Sequence, residues 1–209
     1  MTSHTLFQAA SISKSLNAVG VLKLAQDKKL DLFADKNTYL KNWKFPSDSL
    51  SKGMKINIAN LLSHTAGLNL HGFEGYEKGT NLPTIVQILD GAKPANSPAV
   101  RSMYEPGKKS EYSGGGTTIS QLIVTDITHK QYADYMEHNV LKPLGMSSST
   151  FLQPPININY LLLATGYDGN GKEIPGKYHI YLKQARAGLW TNPTDLAKYI
   201  VDTQLAYQG

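Results

Sequence analysis

The sequence predicts a fold that is mostly helix and loop with little strand, on three observations. Apolar residues recur at helical spacing in several separate segments. Capping residues stand where those segments begin, and glycine or proline where they end. Only one segment, "GYDGNGKEI", carries a hairpin signal. The 209 residues suffice for a single domain, 1–209, with a real core.

The first helix is expected from about Ser11 to Gln26, with Ile12, Leu16, Val19 and Leu22 forming its apolar stripe. "DKKLDLFADKNTYL" reads as a turn and a short connection. "NIANLLSHTAGL" is a short second helix, with Asn57 able to cap it and Gly67 able to end it. Thr84 caps a third, "TIVQILDG", which Gly91 closes. "AKPANSPAVRSMYEPGKKSEYSGGG" is a long irregular stretch, and such stretches in compact domains tend to be functional or mobile.

"TTISQLIVTDIT" then places Ile119, Leu122, Ile123 and Ile127 on one side of a helix. "KQYADYMEHNVLKPLGM" is the next helix, carrying Tyr132, Tyr135 and Met136 and stopping near Pro143. In the hairpin, Asp168-Gly169 and Asn170-Gly171 suit positive φ. The last helix opens at "TNPTDLAKYI", with Asn192 as cap, Pro193 at the first helical position and Asp195 three residues after the cap.

Composition narrows the function classes. The chain is 41% hydrophobic and 18% charged, ordinary for a globular protein. Its net charge of +5 comes from scattered lysines, with Arg101 and Arg186 its two arginines. A nucleic-acid surface more often clusters arginines with aromatics, so the charge reads as a solvated surface. There are no cysteines, which removes disulfides, thiol catalysis and cysteine metal sites. Histidines 4, 71, 129, 138 and 179 show no paired ligand spacing, so neither a metal nor a cofactor is expected. No apolar run is long enough to span a membrane, and no signal-peptide pattern is read at the start.

The segment "FQAASISKSL" crowds Ser11, Ser13 and Ser15 around Lys14. Ser11 and Lys14 are three apart and share a face in the first helical turn, which singles out Ser11 among the serines. A lysine whose pKa is lowered can take the hydroxyl proton, and a helix N-terminus favours the resulting anion. The pattern alone is weak: "SLSK" at Ser49 to Lys52 repeats it in what reads as a loop. Spacing therefore leaves open a nucleophile or an ordinary polar helix start. Tyr112, ahead of Ser113 and three glycines, can relay protons with a lysine, or can simply be a core tyrosine. His64 in "LLSHTAGL" invites a serine–histidine pairing of the familiar kind.

Six segments in order carry a resemblance: "LFQAASISKSLNAVGVLKLAQDKKLDL", "INIANLLSHTAGL", "EPGKKSEYSGGG", "VLKPLGMSSSTF", "ATGYDGNGKEIPG" and "ARAGLWTNPTDLAKYI". Together they cover nearly the whole chain. The sequence resembles the serine β-lactamase and penicillin-binding-protein superfamily, particularly the class C β-lactamase-related branch that includes esterases and D-amino-acid peptidases. The resemblance implies an α+β fold, a helical lobe packed on an antiparallel sheet. It implies Ser11 as acylated nucleophile, Lys14 as base and Tyr112 as proton shuttle, with the Ser11 amide as half of the oxyanion hole. It implies a small-molecule or peptide substrate, a structural His64, and a periplasmic or secreted setting.

Three departures qualify this. The family's Tyr-x-Asn reads Tyr112-Ser113-Gly114 here, so the asparagine that holds a substrate carbonyl is gone. Ser113, or backbone at Gly114, is the expected replacement, and the change favours the esterase or peptidase side. The family's Lys-Thr-Gly or His-x-Gly is absent, since no Lys or His has Gly two residues on. Only Met1 to Leu6 precede the match. The expectation is therefore the helical lobe with little of the sheet, an incomplete domain, and exposed apolar faces that favour self-association. The rivals are a non-catalytic binding relative and a helical interaction fragment. Arg186, where the family usually has small residues, reads as a surface arginine.

Overall fold

A computed structural model describes all residues, 1–209. The architecture is α+β: eight α-helices with a very small antiparallel sheet. In order these are β1 (Phe7–Gln8), α1 (Ser13–Gln26), α2 (Lys36–Tyr39), α3 (Ile58–Leu62), α4 (Ile85–Asp90), α5 (Gly114–Thr128), α6 (Tyr132–Met136), α7 (Gln184–Ala187), β2 (Trp190–Thr191) and α8 (Pro193–Gln208). A 3₁₀ turn, Ala10–Ile12, leads into α1, and a π turn, Glu137–Leu141, continues α6.

Helix α5 is the axis of the core. It packs against α1, α3, α4 and α7, and nearly all of its residues are buried. It starts at Gly114, inside the triple glycine expected to be loop. Ser113 caps it, accepting from the Gly116 amide at 3.1 Å. Packing explains why glycines open a helix despite their poor propensity. A Cβ at Gly115 would lie 2.8 Å from Val100 Cγ1 and one at Gly114 2.7 Å from Arg186 Nε.

The apolar stripe expected on α1 is half right: Leu16 is buried and Val19 packs on the core, but its other two members are not. Ile12 and Leu22 are 45% and 47% exposed, whereas Ser13, Leu16, Asn17, Gly20, Val21 and Leu24 are buried. Polar residues face inward there because they are matched. Asn17 donates to Ser120 Oγ and accepts from Tyr132 Oη, both at 3.0 Å. Gly20 admits Met136, whose Sδ would meet a Cβ at 2.7 Å.

Other boundaries follow the sequence more closely. Asn57 and Thr84 form capping boxes with Asn60 and Gln87, and Gly91 closes α4 at φ +63°. Asn192 caps α8 by accepting from Asp195 N at 2.9 Å, with Pro193 at the first helical position. Helix α3 stops at Leu62, well before Gly67. That glycine instead lets the Tyr104 carbonyl approach its Cα at φ +69°. Helices α2 and α7, one turn each, carry no apolar periodicity and were not expected. The hairpin is reduced to a bridge between Tyr167 and Glu173, closed by Asp168 N donating to Lys172 O, and only Gly171 takes positive φ. "SLSK" is a turn, with Lys52 and Gly53 both at positive φ.

The sheet is what positions the site. Phe7 pairs with Thr191 and Gln8 with Trp190, and Ala9 N donates to Leu189 O at 2.9 Å. This ties the entry to α1 beside the exit from α7. No helix is long and apolar enough to cross a membrane. The second half of α8 exposes Ile200, Val201, Leu205 and Tyr207.

Candidate active site

The residue before Ser11, Ala10, sits at φ +45°, a left-handed conformation that costs a non-glycine residue about 1–3 kcal/mol. The β1–β2 pairing on one side and Ser13 on the other hold it there. Ser13 Oγ donates to Ala10 O at 2.6 Å and accepts from Leu189 N at 3.0 Å. Ser15 Oγ donates to Ile12 O at 2.8 Å. Two of the three serines thus serve the backbone. Ser11, on the 3₁₀ turn rather than in the α-helix proper, stays exposed.

The chain brings Ser11, Lys14 and Tyr112 together. Lys14 Nζ donates to Ser11 Oγ at 3.0 Å and to the Arg186 carbonyl at 3.1 Å. Tyr112 Oη lies 2.7 Å from Ser11 Oγ, across 101 residues of sequence. The ammonium of Lys14 also stands 4.8 Å from the Tyr112 ring centre. Burial holds the Lys14 pKa below its ordinary value of 10.5, and the Arg186 charge pushes the same way against the pull of Tyr112. For Tyr112, burial pushes the pKa up, but contacts with Lys14 and Ser11 and the charge of Arg186 outweigh it, leaving it below 10.0. A hydroxyl in reach of such an amine can be deprotonated by it, and the phenol can carry the proton onward.

Tyr112 is fixed by its neighbours. His64 takes positive φ (+60°), and its ring lies 4.6 Å from the Tyr112 ring, tilted by 37°. Its Nδ1 accepts from Ser113 N at 3.2 Å, and its carbonyl accepts from Glu111 N at 2.8 Å. Burial, and then the Lys14 charge, lower the His64 pKa, which keeps the ring neutral and Nδ1 an acceptor. Glu111 anchors the preceding loop through Lys109, Tyr104 and His71, and those partners, Lys109 first, hold its pKa down to about 2.

Ser113 departs from expectation. Its hydroxyl is buried, donates to Asn69 O at 2.8 Å and accepts from Gly116 N, so it serves the helix cap and is not free for a substrate oxygen. The Gly114 amide is likewise committed, to Leu70 O at 2.9 Å.

Arg186 is the residue that sequence reasoning missed. It is half-buried rather than a surface arginine. Its carbonyl holds Lys14, its Nη1 donates to Phe73 O at 2.9 Å, and its guanidinium lies 5.3 Å from the Phe73 ring centre. The signal available in the sequence was the pairing of two departures, glycine at 114 and arginine at 186. One turn earlier, Lys183 is fully buried, donates to Glu74 O at 3.0 Å and stands 4.7 Å from both the Phe73 and Tyr76 rings.

Burial, and then the Arg186 charge, lower the Lys183 pKa to about 7. Between about 7 and 10.5 the unfolded chain binds a proton at this lysine that the folded chain does not, so stability rises with pH across that window. Urea titrations at pH 7 to 9 are expected to show this rise. Lys183→Met is expected to flatten it by up to about 1.4 kcal/mol per pH unit.

Three similarities place this geometry in context. The chain is 29% identical over 210 residues to the putative penicillin-binding protein PbpX of Bacillus subtilis, covering 98% of this chain and 48% of that protein. It is 25% identical over 193 residues to protein flp of Staphylococcus aureus, covering 91% of this chain and 35% of that one. Among solved structures, the octameric penicillin-binding protein homologue from Pyrococcus abyssi superposes with a TM-score of 0.72 and 26% identity, over 95% of this chain and 45% of that chain. The chain thus spans about a third to a half of the length of these relatives. With residues 1–208 matched by the Beta-lactamase family model, and the fold shared with penicillin-binding-protein homologues, the chain belongs to the Beta-lactamase family.

Proposed function

We propose that this chain is a serine hydrolase domain that works through an acyl-enzyme, with Ser11 as nucleophile, Lys14 as base and Tyr112 as proton shuttle. The observation that carries it is the continuous hydrogen-bonded path from Lys14 Nζ to Ser11 Oγ to Tyr112 Oη, at 3.0 and 2.7 Å. Ser11 Oγ attacks the carbonyl carbon of an ester, amide or β-lactam while its proton passes to Lys14. The Ser11 amide, at a helix entry where N–H groups lack intrahelical acceptors, donates to the developing oxyanion. The carbon–leaving-group bond then breaks as Tyr112 Oη gives the leaving atom a proton and recovers one from Lys14. Water attacks the ester on Ser11, its proton returns through the same path, and the acid is released.

The loss of the Tyr-x-Asn asparagine at Gly114 favours esters and D-peptides over β-lactams. The same loss is what supports a non-catalytic binding domain as the second reading. The exposed apolar face of α8 supports self-association as part of the proposal.

Tyr112→Phe tests the shuttle. An alkyl ester or amide must have its leaving group protonated, whereas a nitrophenolate leaves unaided. The variant is expected to lose about 100-fold or more in kcat/KM on the former and much less on a nitrophenyl ester. Equal losses on both would remove Tyr112 from the proton path.

A further inference from the structure

Two departures from the family pattern meet in space. A Cβ at Gly114 would lie 2.7 Å from Arg186 Nε and 2.8 Å from Arg186 Cδ, so the arginine occupies the room that a side chain at 114 needs. Beyond Gly114 the guanidinium reaches a cleft lined by Leu70, Gly72, Phe73, Asn96 and Ser97, with Nη2 only 3.5 Å from where a Gly72 Cβ would stand.

This arginine is short of partners. Its single side-chain hydrogen bond within the protein is from Nη1 to Phe73 O. It makes no ion pair, Nε is buried with no acceptor, and Ser97 Oγ on the same cleft is also buried and unpartnered. A half-buried guanidinium without a counter-charge is costly, and a carboxylate is its best geometric match. Glu74 also lines the cleft, but it forms no ion pair with Arg186.

We infer that Arg186 is a specificity-determining residue, selecting acyl groups that carry a carboxylate on the side of the scissile carbonyl where the family's asparagine would stand. Gly114 is the complementary half of the device, because any side chain there would displace the guanidinium. This rests on Ser11 as the acylated residue. The link to the chemistry is short, since the Arg186 backbone carbonyl holds the Lys14 ammonium while its side chain extends to the cleft.

Two esters of equal chain length test it: 4-nitrophenyl hydrogen glutarate, which carries the carboxylate, and 4-nitrophenyl valerate, which does not. The intact chain is expected to prefer the glutarate ester. Arg186→Ala should cut kcat/KM on glutarate about tenfold to a hundredfold, with a loss on valerate at least tenfold smaller, and Arg186→Lys should recover part of the preference. Free glutarate, titrated by NMR, should shift the Gly114 amide in the wild-type chain and not in Arg186→Ala. Equal losses on both esters, or glutarate shifts that survive Arg186→Ala, would overturn the inference. If neither ester turns over but glutarate binding still requires Arg186, carboxylate recognition stands and the acyl-enzyme mechanism falls.

Discussion

Ser11→Ala is expected to reduce ester hydrolysis to the level of a heat-inactivated control, a loss of about a thousandfold or more in kcat. The size follows from the local structure. Ser13 and Ser15 cannot substitute, because both hydroxyls donate to backbone carbonyls of their own turn. The fold should survive, since Ser11 is exposed and its side chain supports no backbone group. Ser13→Ala is the instructive contrast. It removes the acceptor for Leu189 N and the tie to Ala10, so it is expected to lower stability by about 1–3 kcal/mol. Circular dichroism with steady-state hydrolysis separates the two: activity lost with fold intact for Ser11, stability lost first for Ser13.

Lys14→Met should cost about a hundredfold to ten-thousandfold in kcat/KM and change the pH profile. As the proposed base, Lys14 must be neutral, so activity is expected to rise as pH climbs through its pKa. Burial and Arg186 place that pKa below 10.5, so the ascending limb lies below the pH of an ordinary lysine. As the proposed acid, Tyr112 must be protonated, and its pKa is also lowered, from 10.0, so the descending limb is expected to move the same way. The wild type is expected to give a bell displaced toward lower pH, and Lys14→Met a profile without the ascending limb. An unchanged limb in the variant would assign the base elsewhere.

The caps and stops of the fold were legible because they are local chemistry. Asn57, Thr84, Gly91, Asn192 and Pro193 act through their immediate neighbours. The buried face of α1 was only partly legible, through Leu16 and Val19, because the pattern of apolar residues is silent on polar groups matched across the core. Asn17 is buried against Ser120 and Tyr132, which lie more than a hundred residues away. The start of α5 was hidden for the same reason: its glycines are chosen by what touches them, not by helix propensity.

Of the candidate site, the spacing of Ser11 and Lys14 set their proximity, one turn of chain apart. Tyr112 was raised by its place before the glycines and given its role by the family resemblance, and only the fold closes the 101 residues to Ser11. Ser113 was expected to meet substrate and instead caps a helix, a role its position before the glycines already permits. Arg186 looked like surface because the residues that enclose it, Phe73 and Gly114, are distant in sequence.

The most direct measurement is the site of covalent capture. The wild-type chain, shown folded, is incubated with a fluorophosphonate and analysed by intact mass and peptide fragmentation. The expected result is one phosphonyl group per chain, with fragment ions placing it on Ser11, and no adduct in Ser11→Ala. A folded chain that takes up no probe, or carries it on Ser13 or any other residue, would contradict the proposal that Ser11 is the nucleophile.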